Sequence, residues 1–542
     1  MMSEIALKRL EKLKGSFTPN SAKETPVFRT ELTPVSFLIR SAAIFPNCQA
    51  ALSESGELNY CQFQARVLRL AASLQKNFAV KSGDRVGLIC RNVQLMLDAH
   101  FAIPAFRGII VAFNTRLTPD DVTYITENSG CKIILYEQEF ESLLASVKAT
   151  CVPADDSRLY QDFNIGWNDL PYREGHEDDV ISISYTSGTT GRPKGVMTTY
   201  RGTVLACLNN ALEMALTQDS RYLWVLPMFH CNGWCFPWTV AAVAGCSVLL
   251  AKADAGQIWH HLLNSGVTHY CGAPTVQISL CHHPTAAPLP RKVKAMIAGS
   301  PPSPTLLATM ESLGLQPIHT YGLTETYGPC TAVYPMQTTD PAARYQHMAG
   351  QGYSYLMADH VRVVDAQMRD VPRDGTSEGE VVFRGNLVMK GYYNDPEATK
   401  EAFHGGWFHS GDIAVMEKDG SIALKDRKKD IIISGGENIS TIEIEKALAQ
   451  HAAVKEVAVV SKPHSKWGET PKAYIVLKNE ALNSDPGSLN AELLAYAREN
   501  LAHFKCPSEI TFLKEFPKTG TGKIQKYILK QKEWAANSKP IG

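Results

Sequence analysis

Short apolar runs bounded by turn residues recur along the chain and alternate with longer stretches of helical period. Ile181 to Tyr185, Tyr222 to Leu226, Ser247 to Leu250, Lys294 to Ala298 and Pro317 to Tyr321 are the clearest of them. Runs this short and this apolar suit strands covered on both faces, and intervening helices supply the cover. The expectation is an α/β protein whose sheets are buried. Several of the runs lead straight into polar or glycine-rich segments, as they do where ligands bind beyond the carboxyl ends of parallel strands. Chemistry is therefore expected at one edge of a sheet.

At 542 residues the chain exceeds one ordinary core, since a domain takes roughly 100 to 200 residues. Leu58 to Leu74 reads as a helix and Asp84 to Cys90 as a strand, so the first part carries a further α/β layer. Charge density rises sharply from Lys425 to Asp430. Beyond it the pattern gives a helix over Ser440 to Gln450, strands over Val457 to Val460 and Ala473 to Leu477, and a helix over Leu489 to Leu501. That suffices for a separate α+β unit. The expected division is a large N-terminal domain of several subdomains, residues 1–427, and a small mobile C-terminal domain, residues 428–542.

Lysine plus arginine and aspartate plus glutamate both count 54, so the formal net charge is zero and no basic field exists for a nucleic-acid backbone. Thirteen cysteines scattered without a secretory leader point to reduced thiols inside the cell. Ile5, Leu7, Leu10 and Leu13, set among Lys8, Arg9, Lys12 and Lys14, fit a helix packed on its own domain, or a basic amphipathic helix at a membrane surface. No run approaches the roughly 18 apolar residues of a spanning helix. The ending Lys539-Pro540-Ile541-Gly542 is not a Ser-Lys-Leu address, so the cytoplasm is expected, with the peroxisome left open; the expected assembly is a monomer or homodimer.

The segment richest in chemistry is Tyr185-Thr186-Ser187-Gly188-Thr189-Thr190-Gly191-Arg192-Pro193-Lys194-Gly195, directly after an expected strand. Its glycines let backbone amides approach an anion, and its hydroxyls and Lys194 supply donors to phosphate oxygens. It is not a Walker loop, because Pro193 precedes Lys194 and Gly195 follows it. Taken without its hydroxyls and lysine, the stretch is a flexible turn. Tyr321-Gly322-Leu323-Thr324-Glu325-Thr326 also ends a strand. A carboxylate beside phosphates is costly unless a divalent cation lies between, so Glu325 is a candidate magnesium ligand; taken alone it is a solvated loop glutamate. Asp412, in Trp407-Phe408-His409-Ser410-Gly411-Asp412, has the bidentate geometry to accept both hydroxyls of a ribose. Lys523 lies in the turn-rich Pro517-Lys518-Thr519-Gly520-Thr521-Gly522-Lys523-Ile524, where a merely solvated lysine is the plain reading.

In this order along the chain, the segments resemble those of the superfamily of adenylate-forming enzymes, which includes acyl-CoA synthetases, luciferases and the adenylation domains of peptide synthetases. The resemblance implies an ATP site built from Thr186, Ser187, Gly188, Thr189, Thr190, Gly191 and Lys194. It gives Thr324 to the α-phosphate and Tyr321 to stacking on adenine, with Gly299, Ser300 and Pro301 closing the other side of the base. His319, Thr320 and Gly322 belong to the same nucleotide segment, and Arg427 is the second ribose contact beside Asp412. Lys523 becomes the catalytic lysine that bridges the attacking carboxylate and the α-phosphate, where a mobile cation stabilises charge developing in the transition state. Lys429 becomes the pivot about which the small domain turns between two half-reactions, and Gly435, Gly436 and Glu437 the surface that pantetheine passes.

Pro227-Met228-Phe229-His230-Cys231-Asn232-Gly233-Trp234 places His230 where the family has a gate beside the substrate carboxylate, although histidines fill many structural roles. His230, Cys231 and Cys235 match no zinc-ligand spacing. Phe229 to Trp238 is similar to plant acyl-activating enzymes and bacterial methylmercaptopropionate-CoA ligases, which take short, medium, branched or aromatic acids. It lacks the aspartate that pairs with an amino acid's amino group. Where acetyl-CoA synthetases carry tryptophan this chain has Gly322, which implies room for an acyl chain larger than acetate, shaped by Cys231, Trp234, Ala273, Gly322, Gly328 and Cys330. The resemblance thus implies an ATP-, magnesium- and coenzyme A-dependent acyl-CoA ligase. A ligase loading an external carrier protein, a luciferase-like oxygenase and a silent binding protein are the alternatives.

Overall fold

The computed structural model describes residues 30–186, 192–334, 336, 338–427, 430–434, 437–464, 467–482, 485–518 and 523–535. Two large sheets form the body. In one of nine strands, Gln49–Ser53, Cys246–Val248, Arg221–Leu223, His269–Gly272, Val293–Ile297 and Leu315–Leu323 run parallel in that spatial order. The antiparallel strand Gly328–Ala332 then pairs with Leu315–Leu323. In the other, of seven strands, Val180–Thr186, Ile109–Ala112, Arg85–Ile89, Cys131–Tyr136 and Thr150–Pro153 are parallel neighbours. Lys194–Thr199 returns antiparallel beside Val180–Thr186, and Gly391–Tyr392 pairs with it in turn.

One apolar core fills the space between the sheets. It draws on the helices Val35–Ile44, Tyr60–Lys76, Gln94–Ala105, Tyr200–Glu213 and Phe236–Ala242. The outer faces are covered separately: Trp259, Leu262 and Leu307 lie over the larger sheet, and Val122 and Ile125 over the smaller. With both faces buried, the strands read as apolar runs, as the sequence suggested. Local signals set the helix ends. Asn59 and Gln62 make a reciprocal capping box at the start of Tyr60–Lys76. Thr118 caps Pro119–Ser129, which stops at Gly130 in the left-handed conformation.

A four-stranded antiparallel sheet, ordered His360–Val364, Glu378–Arg384, Phe408–Met416, Ile422–Arg427, follows the larger sheets. Beyond it Val454–His464 and Gly468–Leu477 form a long hairpin, and Ile432–Ser434 and Glu509–Phe512 pair with successive parts of the second strand's other edge. The helices Thr441–Leu448 and Pro486–Asn500 cover it, and Ile444, Leu448, Leu489, Leu493 and Ile475 make its own core. The α+β pattern expected after Asp430 is thus present as a small sheet with these two helices on one face and Lys526–Ala535 on the other. Among the described residues no helix is long and apolar enough to cross a membrane.

Candidate functional site

Val180–Thr186 ends where the glycine- and threonine-rich loop begins, and Lys194–Thr199 starts where it closes. The two strands pair with Thr186 opposite Lys194, so both ends of the loop are fixed by one ladder. Ser187, Gly188, Thr189, Thr190 and Gly191 lie outside the described residues. The Lys194 ammonium sits over the Tyr392 ring, 5.1 Å from its centroid. The Tyr392 hydroxyl donates to Glu325 Oε1 at 2.9 Å, and burial with the Glu325 charge pushes its phenol well above the usual range. The turn bearing Glu325 is fixed again by Met389, whose N–H donates to the Glu325 carbonyl at 2.7 Å. Tyr392 thus brings the expected phosphate cation and the expected metal carboxylate onto one ring. Sequence reasoning missed it, because nothing in Gly391-Tyr392-Tyr393 marks which tyrosine points inward.

The base and ribose candidates also converge. The Tyr321 hydroxyl donates to Asp412 Oδ2 at 2.7 Å although 91 residues separate them in sequence. Tyr321 packs near Phe383, with ring centroids 5.9 Å apart. Asp412 pairs in register with Arg427, whose side chain lies outside the described residues. Gly299 follows the strand Val293–Ile297 with φ +98°, and a Cβ there would meet nothing within 4 Å. Ser300 and Pro301 come next on the same edge. Gly299 therefore leaves open space where the base is expected.

His319 and Thr320 behave differently. The His319 ring Nδ1 faces the Met348 carbonyl at 3.1 Å, and burial pushes the imidazole down to about 4. Thr320 Oγ1 donates to the Ile297 carbonyl at 3.2 Å. Both residues lie within paired strand, opposite Ile297 and Ala332 respectively, so their side chains sit among the layers of the sheet. Within the run His319 to Gly322, Tyr321 is the residue whose side chain reaches another candidate.

On the acyl side, Cys231, Asn232, Gly233, Trp234 and Cys235 have φ of 45°, 47°, 55°, 52° and 64°. This is a turn of left-handed helix, which costs a residue with a Cβ about 1–2 kcal/mol. It aims Cys231 at the nucleotide segment. The Cys231 thiol donates to Thr324 Oγ1 at 3.0 Å, and burial pushes it up to about 12, so it stays a neutral donor. Trp234 packs on Gly328, where a Cβ would come within 2.7 Å of Trp234 Cδ1. Cys330 is buried in the strand Gly328–Ala332, and Ala273 begins the helix Pro274–Cys281 beyond the strand His269–Gly272. Gly322 has a local reason that the sequence did not reveal. A Cβ there would lie 1.9 Å from the Gly328 carbonyl oxygen, so the close approach of two strands requires glycine on this backbone whatever the size of the acyl group.

His230 stands at the head of that turn, half-buried, and burial together with the Lys523 ammonium pushes its imidazole down to about 4. The charge on the lysine of the small sheet's loop is therefore felt at the expected acyl gate. Lys526, three residues on, carries its ammonium 2.7 Å from Glu445 Oε1 and 2.7 Å from Thr441 Oγ1. The Thr441 amide and hydroxyl both donate to Asp426 Oδ2, at 2.5 and 2.7 Å, and Ser440 Oγ donates to the Lys425 carbonyl. A polar chain thus connects the Lys523 loop to the last strand before the expected pivot. Lys429, Gly435 and Gly436, and the side chain of Glu437, lie outside the described residues.

The candidate nucleotide residues thus gather beyond the carboxyl ends of parallel strands in the two large sheets. Residues 38–393 match the model of the AMP-binding enzyme family and residues 443–523 that of the AMP-binding enzyme C-terminal domain. The chain belongs to the AMP-binding enzyme family. It is 39% identical to the acetate/butyrate–CoA ligase AAE7, peroxisomal, of Arabidopsis thaliana, covering 94% of this chain and 95% of that protein. It is 36% identical to the 2-methylpropanoate–CoA ligase CCL4 of Humulus lupulus, covering 94% and 96%. Among solved structures, the o-succinylbenzoate coenzyme A synthetase of Bacillus subtilis in complex with ATP and magnesium superposes with TM-score 0.77 at 25% identity, covering 91% of this chain and 98% of that one.

The residues present suit magnesium. That ion takes one or two carboxylates and completes its shell with phosphate oxygens and water. Glu325, on a turn fixed through Tyr392 and Met389, offers a carboxylate beside Lys194 and Thr324.

Proposed function

We propose that the acid this chain activates is short- or medium-chain, branched or aromatic and larger than acetate, and that the residues gathered above do the work. The protein is an ATP-dependent acid–thiol ligase. It converts a carboxylic acid, ATP and coenzyme A into acyl-CoA, AMP and diphosphate through an acyl-adenylate. The observation that carries the reading is that Tyr321 reaches Asp412 and Cys231 reaches Thr324, which draws the candidates for base, ribose, phosphate and acid together, with the Lys523 charge acting on His230.

In the first half-reaction a carboxylate oxygen of the acid attacks the α-phosphorus and diphosphate leaves. Two anions must approach, and Lys523 lies between them, stabilising the charge that develops. Thr324 holds the α-phosphate, Lys194 and the loop from Thr186 hold the outer phosphates, and Asp412 with Arg427 holds the ribose. Magnesium, when bound at Glu325, offsets charge on the phosphates. Neutral His230 closes the acyl side without adding a charge. In the second half-reaction the thiol sulfur gives its proton to solvent and attacks the acyl carbon, and the acyl–oxygen bond breaks with AMP taking the bonding electrons. For that step the small domain, divided from the large one at 427/428, turns about Lys429 and presents Gly435, Gly436 and Glu437 to pantetheine.

Release of diphosphate across a panel of short, branched, medium-chain and aryl acids, with and without coenzyme A, tests this. Acyl-CoA made from one such acid in preference to acetate supports it. Adenylate formed without any thioester would assign the acyl group to a carrier protein instead. The reading includes a monomer or homodimer in the cytoplasm; the peroxisome is the alternative, because the Arabidopsis relative's name carries that compartment, and light scattering and cell fractionation decide both.

A further inference from the structure

The left-handed turn below His230 is tied through its backbone to Asn210, which donates to the Trp234 carbonyl at 2.8 Å, and through the buried Asn232 side chain, whose bonds leave a single choice of orientation. Asn232 Oδ1 accepts from Ser182 Oγ at 2.8 Å and from Ser184 Oγ at 3.1 Å. Its Nδ2 lies 3.2 Å from His100 Nε2. The other ring nitrogen of His100 faces the Met96 carbonyl at 2.7 Å, which accepts only, so Nδ1 carries the proton and Nε2 is the acceptor for Asn232. Trp238 fixes the histidine from above, donating its indole N–H to the His100 carbonyl at 2.8 Å. Every polar atom of the Asn232 amide is thus engaged within a region where an unpaired group is expensive.

What the amide touches gives it a consequence. Ser182 and Ser184 lie on Val180–Thr186, the strand that opens the phosphate loop, and Ser182 Oγ is 2.6 Å from Thr198 Oγ1 on Lys194–Thr199, the strand that closes it. Asn232 itself belongs to the turn that carries Cys231 and Trp234. We infer that Asn232 is a positioning residue that sets the acyl-pocket turn against both strands of the phosphate loop, so that the acid and the nucleotide are aligned through one amide. The inference rests on the assignment of those two segments to acid and ATP.

Removing the amide frees the turn from both strands and misplaces two substrates together. Misplacement of about 1 Å suffices to cost a large factor in rate. Asn232→Ala is expected to raise KM for the acid and KM for MgATP each by about tenfold, measured by diphosphate exchange, although the residue touches neither. His100→Leu, which removes the acceptor, is expected to behave alike, and His100→Gln, which keeps an acceptor near the Nε2 position, to stay within about twofold of the parent. The double variant Asn232→Ala/His100→Leu is expected to be no worse than either single, because the two act as one unit. A purely structural role would lower kcat with the folded fraction and leave both KM values alone; that result, or additive losses in the double variant, overturns the inference. If Asn232→Ala does not fold, His100→Leu and Ser184→Ala decide by the same KM criterion. Absence of exchange by the unaltered protein with every acid would instead refute the assignment of the site.

Discussion

Lys523 is the residue with the largest expected effect. Replacing it with alanine removes a preorganised charge partner, a loss on the order of a hundredfold or more in adenylate formation. Thioester formation from preformed acyl-adenylate should persist, because the proposed turn of the small domain takes Lys523 out of the site before that step. Equal loss in both half-reactions, followed by stopped-flow, would contradict the division of labour. Tyr392 has a narrower role: its hydroxyl fixes Glu325 and its ring lies under Lys194. Tyr392→Phe keeps the ring and removes the hydrogen bond, so the magnesium concentration for half-maximal exchange should rise a few-fold while KM for the acid stays put. An unchanged magnesium dependence would show that Glu325 is fixed without it.

Among elements, the paired strands Leu315–Leu323 and Gly328–Ala332 impose the strictest limit. Their approach leaves no room at Gly322, where a Cβ would meet the Gly328 backbone rather than a flexible side chain. Backbone cannot yield as a side-chain tip does. Gly322→Ala is therefore expected to lower the thermal midpoint by several degrees and weaken adenylate formation with every acid, long or short. Selective loss of the larger acids, with stability kept, would mean instead that position 322 lines the pocket directly. Gly299 provides the contrast, since open space surrounds it and only its φ resists a side chain. Gly299→Ala should cost about 1 kcal/mol of stability and raise KM for ATP.

Across the whole molecule, burial holds the imidazoles of His100, His269 and His319 down to about 4. An unfolded histidine titrates near 6.5. Between those values the unfolded chain binds the extra protons, so these residues' contribution is complete above about pH 6.5 and declines as the pH falls toward 4. Each contributes a slope of about 1.4 kcal/mol per pH unit within that window. The thermal midpoint should fall steeply from pH 6.5 to 5; a level profile there, by circular dichroism, would contradict neutral burial. Domain orientation belongs to the same scale. Asp426 receives both the Thr441 amide and hydroxyl across the approach to the pivot, and Thr441 in turn meets Lys526. Asp426→Asn should slow the first half-reaction more than the second.

The sequence by itself determined the class of fold and the order of the segments. Strands buried on both faces must be apolar, and a loop that grips phosphate must be rich in glycine and hydroxyls, so both leave a local trace that neighbouring residues suffice to show. The lone acids and bases, Asp412 and Lys523, were legible only by their place in a recognised series. What the tertiary structure decided are relations between distant residues: Tyr321 on Asp412, Lys194 and Glu325 on Tyr392, and Cys231 on Thr324. It also turned the His319 and Thr320 side chains into the sheet and gave Gly322 its reason. Periodicity reports which face of an element is buried, whereas a hydrogen bond across 91 residues depends on how whole sheets are stacked, and no local pattern encodes that.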